Sequence, residues 1–269
     1  MAQMYTLLRL QVDGKVATVQ LNRQPNNAIS IDLVEELDSA FSELEANKQV
    51  RVVVLSSAIE KYFSVGADLS ALGGMSQGQT SVRDSIKVFV QKIQASFNKI
   101  DNFRAPVIAA INGHALGGGC ELSLCCDYRI MIDDERSYIG QTEVLLGLIP
   151  GAGGTQRLPR LIGMAKALPL LFEGTRLKAK EAQAIGLVHD AVEPERFWSY
   201  VNDLAAKLAK GAPIAQSLIK SAVKSGIQMP LSQGLELEAD YFANVATTQD
   251  ALTGIMAFFS KEEPEFKGT

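Results

Sequence analysis

Two glutamates, each beside a glycine-rich stretch, are the residues of this 269-residue chain best suited to acid/base chemistry. Glu121 follows the run Gly117 to Gly119, at the predicted junction between a buried strand and a helix. Three glycines weaken a helix start, because each loses more backbone entropy than alanine would. Their advantage is that bare N–H groups at the positive end of a helix can approach an oxygen that carries negative charge. A carboxylate beside such donors predicts acid/base chemistry next to a stabilised anion.

Glu143 is the second candidate, because a Pro-Gly-rich turn that begins at Pro150 follows it closely. Both glutamates also fit a structural role, since acids in the first turn of a helix gain a few tenths to ~1 kcal/mol from the helix dipole. The three glycines would likewise allow a helix to pack closely on a strand. Neither common nucleotide loop is present: no Gly-Lys-Ser/Thr follows, and Leu122 replaces the last glycine of Gly-x-Gly-x-x-Gly. Each motif taken alone leaves the structural and the catalytic interpretations open.

A third candidate stretch, Phe63-Ser-Val-Gly-Ala-Asp-Leu69, follows a predicted buried strand at 51–57. The chain then runs to about Ser81 with few apolar residues, and loops of that length inside a compact domain are usually functional or disordered. Within it, Gly74-Met-Ser76-Gln-Gly78 matches the Gly-x-Ser-x-Gly elbow of serine hydrolases. Because this match follows a polar loop and not a strand, Ser76 is not expected to be a nucleophile.

The composition is that of an ordinary globular protein, with 47% apolar and 21% charged residues and a net charge of −4. An acidic chain without a lysine or arginine run argues against nucleic acid or an anionic membrane as partner. The N-terminus has no basic leader, and no apolar segment reaches the ~18 residues of a membrane span. We therefore expect a soluble protein of the cytoplasm or of an organelle matrix. The three cysteines, Cys120, Cys125 and Cys126, lack metal-ligand spacing and are predicted to be buried free thiols.

Hydrophobic periodicity predicts the elements that must position these residues. Alternating apolar residues around Asp13-Gly14 predict a hairpin of strands 5–12 and 15–21. Helices are predicted at 31–47 and 82–100, and buried strands at 50–56, 107–111 and 127–132. Beyond a short strand at 187–191 the pattern is helical, at 195–210, 214–226, 231–245 and 250–260. This order predicts an α/β domain with several parallel strand pairings, followed by a helical C-terminal subdomain.

The three candidate stretches resemble the motifs of the crotonase superfamily, the enoyl-CoA hydratases and isomerases. The stretch 63–69 is similar to F-x-x-G-A-D-L of that family. Residues 112–122 are similar to N-G-x-A-x-G-G-G-x-E-L, and residues 140–158 to G-x-x-E-x-x-L-G-x-x-P-G-x-G-G-T-Q-R-L. The likeness extends from Leu21-Asn22-Arg23 to the tail at 258–266, so it covers nearly the whole chain. Several motifs in the same order are far more specific than any one of them.

The resemblance implies an α/β fold, a crotonase-like spiral of repeated ββα units with a helical C-terminal subdomain. It divides the chain into a spiral core domain at 1–195 and a helical trimerisation region at 196–269, assembled as a homotrimer or as a hexamer of two trimers. It also implies an acyl-CoA thioester substrate, whose carbonyl oxygen accepts hydrogen bonds from the N–H groups of Ala67 and Gly118. Beyond the coenzyme A portion of that substrate, no cofactor and no metal are expected.

Further contacts to coenzyme A are implied for six residues: Arg23, Val65, Gly66, Asp68, Leu69 and Ser70. With both acids present, the pattern is most similar to that of an enoyl-CoA hydratase, which adds water reversibly to a trans-2-enoyl-CoA and gives a 3-hydroxyacyl-CoA. By this likeness Glu121 orients and deprotonates the water that attacks Cβ, and Glu143 supplies a proton to Cα. Such groups each contribute ~10²- to 10⁴-fold in rate.

Three other activities stay open as alternatives. An enoyl-CoA isomerase, or another member that performs enolate chemistry on a coenzyme A thioester, would use the same fold, although such members generally lack one or both acids. A thioester hydrolase would release free coenzyme A. An RNA-binding member of the family would need basic surface, which the net charge of −4 argues against.

Overall fold

The computed structural model describes residues 5–68 and 81–269, and within them the chain folds as an α/β protein. The strands are β1 Leu8–Asp13, β2 Val16–Leu21, β3 Val52–Ser57, β4 Tyr62–Ser64, β5 Val107–Ile111, β6 His114–Leu116, β7 Tyr128–Ile132, β8 Ile139–Gly140 and β9 Asp190–Val192. The helices are α1 Ile31–Ala46, α2 Val82–Asp101, α3 Gly118–Leu124, α4 Gly154–Ile162, α5 Met164–Glu173, α6 Ala179–Ala184, α7 Pro194–Ala209, α8 Pro213–Gly226, α9 Leu231–Ala246 and α10 Gln249–Ser260. A 3₁₀ helix, Glu143–Leu146, lies between β8 and α4.

Six strands form the larger sheet, in the order β1-β2-β3-β5-β7-β9. The β1–β2 hairpin is antiparallel, and every later pairing in this sheet is parallel. Gly14, at a φ of 55°, makes the tight turn that the Asp-Gly pair predicts. Parallel neighbours need a crossover, which α1, α2 and α3 supply between successive pairs. The carboxyl ends of β3 and β5 therefore lie side by side, and the polar loops that follow them meet there.

A second sheet has three short parallel strands in the order β4-β6-β8. The sequence predicts loops, and not strands, where β4 and β6 lie, and this prediction is wrong. Strands of two or three residues are too short to show the alternation by which a strand is recognised. The small sheet matters for the site, because the three family-like motifs begin at its three strands.

Alternation along the buried strands divides the core between the two faces of the larger sheet. Val53 and Leu55 face the larger hydrophobic cluster, which includes the buried sides of α1 and α2. Val52 and Val54 face the other way, where α7 covers the sheet with side chains such as Phe197. This helix is the first of the predicted C-terminal region and packs directly on the sheet. The domain boundary at 195/196 itself stays a prediction.

Two predicted strands begin elsewhere in the structure. The first strand begins at Leu8 and not at residue 5, because the N–H groups of Thr6 and Leu7 donate to the Glu36 carboxylate on α1. The strand predicted at 187–191 lies at β9, since the N–H groups of Leu187 and Val188 bind back to α6 and are not free to pair. The predicted helices of the C-terminal region are all present within one or two residues. Within the described residues, no helix combines the length and apolar character needed to cross a bilayer.

Candidate active site

A cavity of about 560 Å³ lies where the loops after β4, β6 and β8 meet. Part of its lining is apolar and comes from α2 and from the segment 146–150. The rest includes the four residues that the sequence predicts for the oxyanion hole and the acid/base pair, Ala67, Gly118, Glu121 and Glu143. Three separate segments of the chain are thus brought to one cavity.

The N–H groups of Ala67 and Gly118 are neighbours at this cavity. A parallel bridge pairs Ile29 with Ala67: the Ile29 N–H donates to the Gly66 carbonyl at 2.7 Å, and the Asp68 N–H donates to the Ile29 carbonyl at 2.9 Å. The N–H of Ala67 therefore points away from Ile29. Gly118 is the first residue of α3, so its N–H has no acceptor within the helix. Among the described residues neither N–H donates a hydrogen bond, and a methyl group built on Gly118 would lie 3.5 Å from the Ala67 nitrogen.

The three glycines before Glu121 have different tasks. Gly117 adopts a φ of 54°, and a Cβ on it would lie 2.9 Å from the Oε1 of Glu143. Gly118 supplies the free N–H described above. A Cβ on Gly119 would lie only 2.1 Å from the Ser64 carbonyl oxygen, so this glycine allows α3 to pack on β4. The close-packing interpretation is therefore confirmed at Gly119, and Gly117 leaves room for the Glu143 carboxylate. Access of a ligand oxygen to the Gly118 N–H stays a prediction.

Glu121 is buried, with 3% of its surface exposed, and is held through one carboxylate oxygen. Its Oε1 accepts the N–H groups of Ala152 and Gly154, both at 2.7 Å. Among the described residues no donor binds Oε2. The pKa of Glu121 is raised to about 7, chiefly because the carboxyl is buried. The charge of Glu143 also raises this pKa. The two N–H bonds and the charge of Arg157 lower it. The carboxyl can therefore gain or lose a proton near neutral pH.

Glu143 begins the 3₁₀ helix and reaches the same cavity from β8. With its amide nitrogen turned toward Glu143, the buried Gln141 donates to both carboxylate oxygens at 3.2 Å. Burial raises the pKa of Glu143 above its ordinary value. Two carboxyl groups with raised pKa values thus lie at one cavity, where acid/base chemistry near neutral pH is favoured.

The residues predicted to contact coenzyme A fall into three groups. Val65 and Gly66 line the cavity. Arg23 and Asp68 form an ion pair with each other beside it, and Arg23 also donates to the Ala28 carbonyl at 3.2 Å. The remaining two, Leu69 and Ser70, lie outside the described residues, as does Ser76.

Sequence reasoning missed the groups that hold the two glutamates. The motif at 140–158 contains Ala152, Gly154 and Gln141, but a motif match does not say that backbone N–H groups from its turn bind Glu121 about thirty residues earlier. The apolar wall from α2 was missed as well, since helical spacing alone does not say what an apolar side contacts.

The three cysteines are buried and free, as predicted, and burial raises the pKa of each thiol.

Comparison with known proteins identifies the family of this chain. The family model of enoyl-CoA hydratases/isomerases matches residues 11–269. The chain belongs to this family. A short-chain-enoyl-CoA hydratase of Clostridium acetobutylicum is 39% identical over 257 residues, which cover 95% of each chain. A crotonyl-CoA hydratase of Syntrophomonas wolfei is 35% identical over 263 residues, covering 97% of this chain and 98% of the relative.

A solved structure confirms the predicted fold of this hydratase/isomerase family member. The crystal structure of an enoyl-CoA hydratase from Bacillus anthracis matches it with a TM-score of 0.91 at 39% sequence identity. The match covers 98% of this chain and 100% of the other. The family and the crotonase-like fold expected from the three motifs are therefore both confirmed.

Proposed function

We propose that this protein is an enoyl-CoA hydratase, which adds water reversibly to a trans-2-enoyl-CoA and gives a 3-hydroxyacyl-CoA. The observation that carries the proposal is the meeting of Glu121 and Glu143 with two free N–H donors at one cavity. Family membership supports a coenzyme A thioester as the substrate. The presence of both acids favours hydration over isomerisation, which chiefly needs one.

The N–H groups of Ala67 and Gly118 are proposed to hold the thioester carbonyl oxygen. Attack of water at Cβ moves negative charge onto this oxygen, so a donor pair fixed beforehand stabilises the transition state more than the bound substrate. Losing one donor of this kind typically costs ~3 kcal/mol. Both donors belong to backbone, which side-chain substitution cannot remove, so the two glutamates are the better targets for a test.

Glu121 is proposed to take a proton from the attacking water through Oε2, the carboxylate oxygen without a donor among the described residues. Glu143 then delivers a proton to Cα. The two roles need an ionised Glu121 and a protonated Glu143. Burial raises the pKa of both groups, which brings proton exchange at this cavity closer to neutral pH. After each turnover the proton gained by Glu121 must return to Glu143 before the next one. No step requires a cofactor beyond the coenzyme A portion of the substrate.

Crotonyl-CoA is the first substrate to test, because two relatives are named for short-chain and crotonyl thioesters. We expect rapid loss of the absorbance of the conjugated thioester with the parent protein. Glu121→Gln and Glu143→Gln should each lower kcat by ~10²- to 10⁴-fold, since each removes one positioned acid/base group. Glu60→Gln, which changes an exposed glutamate, is the matched control and should keep the parent's rate.

Other outcomes of this assay would select an alternative. Loss of activity in only one glutamate variant, together with conversion of a 3-enoyl-CoA to its 2-enoyl isomer, would favour an isomerase. Release of free thiol from the substrate would favour a thioester hydrolase. A parent protein that leaves crotonyl-CoA and longer or branched enoyl thioesters unchanged would overturn the hydratase proposal.

A homotrimer, or a hexamer of two trimers, is the assembly that we propose. The support is the number of large apolar side chains exposed on the last three helices, among them Val223, Leu231, Phe242, Phe258 and Phe259. Exposed apolar surface of this extent usually marks an interface between proteins. The cytoplasmic location expected from the sequence stays a prediction.

A further inference from the structure

Arg157, on α4, connects the loop that binds Glu121 to helix α2. Its Nη1 donates to the Ala152 carbonyl at 3.0 Å. Its Nε and Nη2 reach α2, where they donate to Asp101 at 3.1 Å and to Asn98 at 2.5 Å. The guanidinium thus uses all three nitrogens to join two elements, and it is not part of the cavity lining.

The carbonyl that Arg157 holds lies between the two N–H groups that bind Glu121. Ala152 and Gly154 are those donors, and the peptide that joins Ala152 to Gly153 separates them. Gly153 has a φ of 120°, a conformation that other residues rarely adopt, and a Cβ on it would lie 2.1 Å from the Nη1 of Arg157. Because the guanidinium is packed against this glycine, a rotation of the peptide would displace Arg157 and misalign both donors.

Helix α2 holds the same loop at a second carbonyl. Gln94 donates through Nε2 to the Gly151 carbonyl at 2.7 Å, and this carbonyl belongs to the same peptide as the Ala152 N–H. Gln94, Asn98 and Asp101 are four and three residues apart, so they share one face of the helix. Because Gln94 also lines the cavity, substituting it would disturb substrate contacts directly. Arg157 and Asn98 are cleaner targets, since neither is part of the cavity lining.

We propose that Arg157, fixed by Asn98 and Asp101, is a positioning residue that keeps Glu121 oriented for attack by water. By holding the Ala152 carbonyl it keeps both N–H donors on the Oε1 of Glu121, and Oε2 stays free for the water. The inference rests on the hydratase function proposed above. Arg157 also contributes a positive charge that favours ionised Glu121, against the opposing charge of Glu143.

Two substitutions separate the geometry from the charge. Arg157→Lys keeps the charge but cannot make the three directed contacts of a guanidinium. Arg157→Met removes both. We expect each to lower kcat for crotonyl-CoA by about 10- to 100-fold, because small displacements of a reacting group cost rates of this order. KM should change little, since Arg157 does not line the cavity. Arg160→Met, which changes an exposed arginine on the same helix, is the control and should match the parent.

The pH profile of kcat/KM distinguishes positioning of Glu121 from a general structural role. Removing the positive charge in Arg157→Met disfavours ionised Glu121, so the acid limb of the profile should move to higher pH. Arg157→Lys should keep the limb of the parent while kcat falls. A limb unchanged in both variants, with kcat at the parent's value, would overturn the proposal.

Asn98→Ala keeps the inference testable if the arginine variants do not fold, because Asn98 is exposed and gives up a single contact to Arg157. Hydrogen exchange of the peptide that covers 150–157, followed by mass spectrometry, reports on the loop without any need for activity. We expect faster exchange in Asn98→Ala and Arg157→Met than in the parent and in Arg160→Met. If the two variants exchange faster but the parent shows no hydratase activity, the positioning of the loop stands and the proposed function is rejected. Unchanged exchange in a parent that is an active hydratase would reject the positioning role.

Discussion

Glu121 and Glu143 are the same residue type in different surroundings, and the surroundings suggest how one reaction could use both. Glu121 is almost fully buried and is bound through one oxygen by two N–H groups, while Glu143 is half-buried beside an amide side chain. The N–H groups select the ionised form of the carboxyl that they bind. Burial opposes ionisation at both sites and raises both pKa values. The base role proposed for Glu121 needs its ionised form, so this role should be lost as the pH falls below about 7.

Burial of Glu121 should also be visible in the stability of the protein. Folding raises the pKa of Glu121 from 4.5 to about 7, so the folded state keeps a proton that the unfolded chain loses earlier. The stability that this proton contributes is fully present below pH 4.5 and is lost as the pH rises through 7. Glu121→Gln abolishes the titration, and its amide oxygen can still accept both N–H bonds. From pH 4.5 to 8 the unfolding free energy of the parent should therefore fall by up to about 3 kcal/mol more than that of the variant.

Urea denaturation at several pH values and one fixed protein concentration measures this difference. Glu60→Gln is again the control, because it changes an exposed carboxyl and should follow the parent's curve. Parallel profiles for the parent and Glu121→Gln would show that Glu121 titrates near its ordinary pKa in the folded protein.

At the scale of elements, the contact between α3 and β4 places the two N–H donors side by side. Gly119→Ala tests this contact, because the new Cβ would lie 2.1 Å from the Ser64 carbonyl oxygen, a backbone atom. We expect a loss of about 3 kcal/mol in unfolding free energy, the upper end of the usual cost of overpacking, because a backbone atom has little room to relax. Hydratase activity should fall too, since β4 leads directly to Gly66 and Ala67.

Gly226→Ala is the matched control for this substitution. Gly226 is also helical, but the nearest atom to a Cβ there is 3.8 Å away. Alanine should leave the stability unchanged or raise it by up to about 1 kcal/mol, through its higher helix propensity. Thermal unfolding measures the stability of both variants. Equal effects at the two glycines would contradict the close α3–β4 packing.

The elements that the sequence predicts well are those with enough residues to show a period. The hairpin around Gly14 and helices such as α1 and α2 were predicted within a few residues, and the motifs led to both glutamates. The strands β4, β6 and β8 were not predicted, because two or three residues carry no period. The face of α2 formed by Gln94, Asn98 and Asp101 was missed for another reason. Helical spacing identifies a polar face of a helix but does not say whether that face contacts a loop or solvent.

At the scale of the whole molecule, the single chain buries its sheets but leaves its last helices apolar on the outside. Phe258 and Phe259 are 80% and 78% exposed, and large side chains of α8 and α9 are exposed as well. Inside one chain, helix α8 is tied to the core by two lysines: Lys220 lies 2.7 Å from Asp127, and Lys224 pairs with Asp101. A helix that is tied down through its polar residues and keeps apolar residues outward is suited to meet another copy.

The proposed trimer or hexamer therefore predicts the mass of the protein in solution and a loss of assembly when one charge is added to the apolar surface. Light scattering after size exclusion should give three or six times the chain mass of 29.0 kDa. Phe258→Asp should shift the protein to smaller species, because a carboxylate buried in an apolar interface lacks a partner. Val12→Asp, at an exposed apolar position on the edge strand β1, should keep the parent's mass. A parent of one chain mass at micromolar concentration would reject the trimer, and the exposed apolar helices would then need a different partner.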